Sequence, residues 1–192
     1  IEKNSHIVIS NFSKFGCTVT KGCEVLKKHE SELNQYDYTV LEFGGNDCDF
    51  NWAEVSASPE SNHVPNTPVS VFQEYYSRMI DEIKACGGRP VLLSLPPIDA
   101  KRYFAWISRG LNPDNILRWL GDVEFIYRWH EMYNLAVNRL AMLHDVPLID
   151  ISSAFLKTGN YQSLICEDGI HPNENGHRLI GETIERYALV NA

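Results

Sequence analysis

The sequence predicts an α/β fold: a mostly parallel sheet with helices on both faces. Short, nearly continuous apolar runs alternate with longer segments whose apolar residues recur at helical spacing. Each run is apolar enough to be buried on both faces, as strands of a covered parallel sheet must be. Each run also ends on turn-forming or polar residues, and in such sheets ligands bind at the carboxyl ends of the strands.

Taken in order, residues 6–10 form a β-branched run that passes into the turn-prone Asn11-Phe12-Ser13-Lys14-Phe15-Gly16, which predicts a buried strand and a loop. Over 18–35, Val25, Leu26 and Leu33 recur among lysines and glutamates, the pattern of a surface helix. Residues 38–43 are a second strand, stopped by Gly44-Gly45-Asn46-Asp47. The polar stretch 48–68, with three prolines and no period, reads as a long loop. Residues 69–86 carry Phe72, Tyr75, Tyr76, Met79, Ile80 and Ile83 at helical intervals, and Gly87-Gly88 closes that helix. Residues 90–95 are a third strand, ended by Pro96-Pro97, because proline cannot continue a ladder. An aromatic-rich insert follows over 98–122, holding Tyr103, Phe104, Trp106 and Trp119, and it serves either packing or the wall of a substrate pocket. A helix over 131–144, a fourth strand over 146–151 and a last helix from Glu174 or His177 to Ala188 complete the alternation.

At 192 residues and 44% hydrophobic, the chain fits a single domain spanning 1–192. A net charge of −8 leaves no basic stripe for nucleic acid. No apolar run reaches the ~18–20 residues of a membrane span, and no signal-peptide pattern opens the sequence. Five cysteines, Cys17, Cys23, Cys48, Cys86 and Cys166, without a Cys-x-x-Cys, read as reduced thiols in a cytoplasmic protein. The histidines show no ligand spacing, so no metal and no cofactor is expected. The oligomeric state is not legible.

The chemistry concentrates in Glu167-Asp168-Gly169-Ile170-His171-Pro172. An acid three residues before a histidine, on a loop bounded by glycine and proline, can turn back onto the imidazole and fix its tautomer. His171 is then a general base and Asp168 its orienter. Acyl transfer also needs donors aimed at the oxyanion. Asn46 offers a side-chain amide, and Gly16, lacking a Cβ, lets a backbone N–H approach closely. Taken singly, these residues also suit ordinary turns.

In order and context the motifs resemble the SGNH (GDSL-type) hydrolases. Asn11 to Thr18 looks like that family's second block, whose glycine donates a backbone N–H to the oxyanion. Gly44-Gly45-Asn46-Asp47 matches its Gly-x-Asn-Asp block, whose asparagine is the other donor, and Asp168-Gly169-Ile170-His171 matches its Asp-x-x-His block. The resemblance runs the length of the chain. It implies a flavodoxin-like three-layer α/β/α sandwich and metal-independent hydrolysis of a small acyl ester through an acyl-serine intermediate.

The Gly-Asp-Ser block that carries the family's nucleophile, together with its first strand, does not occur in these 192 residues. The expectation is therefore a fragment of a longer product, with the nucleophilic serine upstream of Ile1. Ser10, Ser13, Ser94, Ser152 and Ser153 do not sit in a strand-to-helix elbow with glycine neighbours. The alternative is a non-catalytic binding domain of the same fold that has lost its nucleophile. A flavodoxin-like cofactor binder is disfavoured by the lack of a Gly-rich phosphate cradle.

Overall fold

A computed structural model describes residues 8–191. In chain order its elements are α1 (Val19–Lys28), β1 (Thr39–Leu41), α2 (Trp52–Ala57), α3 (Val69–Ala85), β2 (Pro90–Leu93), α4 (Ala100–Ile107), α5 (Pro113–Leu120), α6 (Phe125–Leu143), β3 (Leu148–Ile149), α7 (Ile151–Leu156) and α8 (Glu174–Asn191). Single 3₁₀ segments occupy Glu30–Gln35 and Tyr161–Leu164.

The three strands form a parallel sheet in the order β1-β2-β3, with Leu41 opposite Leu92 and Leu93 opposite Ile149. All four residues of β2 are buried, as its unbroken apolar run requires. Its side chains alternate between two cores, following the two-residue period of a strand. Leu92 joins Val19 and Leu26 of α1, Tyr76 and Ile80 of α3, and Val137 and Leu140 of α6. Val91 and Leu93 join Ile149, Ile151 and Phe155, against which Leu179, Ile180 and Ile184 of α8 pack. Helices therefore cover both faces, giving the flavodoxin-like three-layer α/β/α sandwich. A third cluster, built on Phe50, Val55, Ile98, Tyr103, Ile116, Leu120 and Ile126, is formed by α2, α4, α5 and the start of α6.

Several boundaries differ from the sequence expectation, each for a local reason. Residues 8–10 are not a strand, and Val8 and Ile9 stand exposed, so the run does not bury its apolar side chains as a sheet strand would. His6 and Ile7 lie outside the described residues. The helix expected over 18–35 breaks after Lys28, and the 3₁₀ segment carries Leu33 into the core. Within 48–68, α2 forms because Asn51 caps the Glu54 N–H and Val55 is fully buried. The aromatic insert folds into α4 and α5, capped by Asp99 and Asn112 and closed by Gly121 at φ 77°. The helix expected from Glu131, α6, starts at Phe125, more than one and a half turns earlier. The fourth strand stops at Ile149 because Asp150 accepts the Ser153 N–H and starts α7.

Candidate active site

The loop that carries Asp168 and His171 is closed by its own backbone. The Cys166 N–H donates to His171 O at 2.8 Å, the Gly169 N–H to Cys166 O at 3.1 Å, and Asn173 N–H to Leu164 O at 2.9 Å. Gly169 turns the chain at φ 82° and lies against the first turn of α4, where Asp99 N–H donates to its carbonyl at 2.8 Å. A Cβ there would meet the backbone N of Tyr103 and, at 2.7 Å, Asp99 O, so only glycine fits.

This turn brings the acid onto the base. Asp168 Oδ2 lies 2.7 Å from His171 Nδ1, while Oδ1 accepts the Ile170 and His171 backbone N–H groups, both at 3.0 Å. An ionised carboxylate only accepts, so Nδ1 carries the proton and Nε2 keeps its lone pair for a substrate or nucleophile. Partial burial tends to raise the Asp168 pKa. The hydrogen bonds from the His171 ring and from the His171 and Ile170 backbone outweigh it and hold the carboxyl below its ordinary value. The imidazole is about half exposed, 53%, against 17% for its acid, so the base faces outward from an anchored partner.

One ring contact and one buried hydrogen bond involve the segments that carry the other candidates. The Phe15 ring, itself 97% exposed, lies loosely over His171, with centroids 6.0 Å apart and planes at 23°. Gly16 has φ 67°, and a Cβ would meet nothing within 4 Å. The positive φ is one that glycine adopts without the strain an L side chain would carry. Asp47, fully buried, then ties the Asn46 loop to this segment: its Oδ1 accepts the N–H of Val19, the first residue of α1, at 2.9 Å. Thr67 N–H donates to Asp47 O at 2.9 Å, and Asn66 Nδ2 to Asn46 O at 2.9 Å. Burial pushes the Asp47 pKa up despite the bond its carboxylate accepts from Val19. Gly44, at φ 137°, packs so closely on Leu95 that a Cβ would come within 2.7 Å of it. Asn46 itself is exposed at the tip of the loop.

The aromatic candidates divide. Tyr103 is buried, and its hydroxyl donates to Asp49 Oδ1 at 2.6 Å. Phe104 packs partly buried in the third cluster. Trp119 meets Phe50, Trp52, His63 and Phe125 edge-on. Trp106 is 42% exposed, with the Arg109 guanidinium 4.0 Å over its ring. The hydroxyls of Ser94 and Ser152 are engaged in the fold: Ser94 Oγ bonds Asp150 and receives the Ser152 N–H, and Ser152 Oγ donates to Leu95 O. Phe15 escaped a functional reading of the sequence. Asp47 and Asp49, flanking Cys48, do suggest carboxylate chemistry in the sequence, with a loop-stabilising role of Asp47 the preferred reading.

Among the described residues, no group of three or more His, Cys, Asp or Glu side chains gathers as metal ligands. No helix among them is long and apolar enough to cross a membrane.

Over residues 3–179 the sequence matches the model of the GDSL-like lipase/acylhydrolase family. No curated protein matches it significantly. Among solved structures, it resembles a lipase/acylhydrolase from Enterococcus faecalis, at 23% identity and a TM-score of 0.62, over 90% of this chain and 70% of that one. A GDSL-like lipase from Bacteroides thetaiotaomicron is similar at 14% identity and a TM-score of 0.61, over 92% and 73%. A catalytic mutant of an acetylxylan esterase from Geobacillus stearothermophilus is similar at 17% identity and a TM-score of 0.60, over 89% and 67%. At such identities these likenesses are of fold.

Proposed function

Because the chain belongs to the GDSL-like lipase/acylhydrolase family, whose chemistry is ester hydrolysis, we propose that it is a serine esterase working through an acyl-serine intermediate. The observation that carries this reading is the 2.7 Å pairing of His171 Nδ1 with an anchored Asp168, which leaves Nε2 free to act as a base. In this reading His171 takes the proton of a serine hydroxyl as it attacks the ester carbonyl, and Asp168 stabilises the imidazolium. The Gly16 backbone N–H and the Asn46 side-chain amide hold the oxyanion, each donor contributing on the order of 3 kcal/mol in the transition state. His171 returns its proton to the leaving alcohol, and a water molecule then releases the acid.

The nucleophile is proposed to be a serine on a segment preceding Ile1, the place of the family's Gly-Asp-Ser block, with 1–192 forming the rest of one domain. The structural bonds of Ser94 and Ser152 favour that over a serine of this sheet. The substrate is a small acyl ester, and the aromatic groups at Tyr103, Phe104, Trp106 and Trp119 shape the acyl or alcohol side of its pocket. The five free thiols support a cytoplasmic location.

The test is fluorophosphonate labelling and aryl-acetate hydrolysis by the full gene product. One covalent adduct on an upstream serine is expected, with His171→Ala reducing kcat by at least about 10³-fold in a folded protein. A folded product that takes no label, or a His171→Ala variant as active as the parent, refutes the proposal and favours a binding domain.

A further inference from the structure

Asp49 stands where the two halves of the site meet. It lies in the same loop as Asn46, and the two are clamped together by one residue: the Asn66 backbone N–H donates to Asp49 O at 2.8 Å while Asn66 Nδ2 donates to Asn46 O. The Asp49 carboxylate reaches the other way. Its Oδ1 accepts from Tyr103 Oη at 2.6 Å and from Trp52 Nε1 at 2.8 Å. The indole only donates, and it also lies 3.3 Å from the phenol oxygen, so the phenol proton goes to the carboxylate. Tyr103 in turn belongs to the turn of α4 on which the Asp168 loop is seated. Its N–H donates to Asp99 O, Asp99 N–H donates to Gly169 O, and the Gly169 Cα has no space toward Tyr103 N. Arg102, its neighbour, holds the far side of that loop through Gln162 O and Ile165 O.

We propose that Asp49 is a positioning residue that sets the spacing between the oxyanion loop and the acid–base loop, through Tyr103. The inference rests on the esterase reading for its kinetic consequence, but the mechanical link does not. Tyr103 is then a support beneath the pocket: its phenol is closed off by Asp49 and its ring is almost fully buried. A bond this short, between a phenol and a largely buried carboxylate, suits a fixed distance better than a solvent-facing contact would.

The test compares Asp49→Ala, Asp49→Asn and Tyr103→Phe in the full gene product. The first readout is hydrogen exchange at the Ile170 and His171 amides, which donate to Asp168, set against the core amide of Leu92. Asp49→Ala is expected to speed exchange at Ile170 and His171 by about tenfold and to leave Leu92 unchanged, since only the local opening free energy falls. The second readout is kinetic: kcat for an aryl acetate falls about tenfold while KM stays within about twofold, the pattern of lost transition-state alignment. Asp49→Asn restores both, because its amide oxygen still accepts both bonds. Should Asp49→Ala fail to fold, Tyr103→Phe removes only the hydroxyl and is expected to show the same two changes. Unchanged exchange at Ile170 and His171, equal acceleration at Leu92, or an Asn variant no better than Ala would overturn the link. If the parent hydrolyses no ester, the esterase reading fails, and the exchange data still decide the positioning role.

Discussion

Replacing Gly169 by alanine tests the seat of the histidine loop directly. The glycine has φ 82°, a region where an L side chain costs about 1–2 kcal/mol. The added Cβ would also strike the Tyr103 backbone N, come within 2.7 Å of Asp99 O and within 2.9 Å of Arg102 Cβ. Two of these three atoms are backbone at the start of α4, so the loop must retreat by roughly 1 Å, enough to cost on the order of 10²-fold in rate. Overpacking of this kind costs about 1–3 kcal/mol, so the total loss of stability is about 2–5 kcal/mol. Gly110→Ala is the matched control. Gly110 has φ 74°, and a Cβ there meets nothing within 4 Å, so it carries the conformational cost alone. Urea unfolding of both variants gives the stabilities, and kcat/KM on an aryl acetate gives the alignment. If Gly169→Ala loses no more stability than Gly110→Ala and keeps its kcat/KM, the close seating of the loop on α4 is wrong.

Two further outcomes follow from buried polar groups. His130 is almost fully buried on α6, its Nδ1 has no hydrogen-bond partner among the described residues, and burial pushes its pKa down to about 4. Between about pH 6.5 and 4 the unfolded chain binds a proton there and the folded chain does not, so stability falls as the pH is lowered, by up to about 3 kcal/mol. Urea midpoints measured at pH 7 and pH 4.5 should show that loss, and a His130→Phe variant should lack its share of it. Asp47→Ala strands the buried Val19 N–H and should cost about 1–3 kcal/mol in the same assay. A loss below about 0.5 kcal/mol would mean that Val19 finds another acceptor.

The amino-acid order by itself determined the layered α/β plan, the buried β2, the core-facing α3 and the Asp168–His171 pair. These are local: a run of four apolar residues, a helical period, and two side chains three positions apart on a glycine turn. The order also held the N-caps that start α2 and α7, at Asn51 and Asp150, but a polar loop and an apolar run masked them. Tertiary structure alone decided which loops meet. Phe15 reaches His171 across most of the chain, Asp47 reaches Val19 and Asp49 reaches Tyr103 between segments with no shared period. It also gave Gly16 a positive φ, which no local pattern specifies. Periodicity reports which face of an element is buried, whereas the contacts between distant loops depend on how separate elements are brought together. Those distances arise only when the sheet and its helices close around common cores.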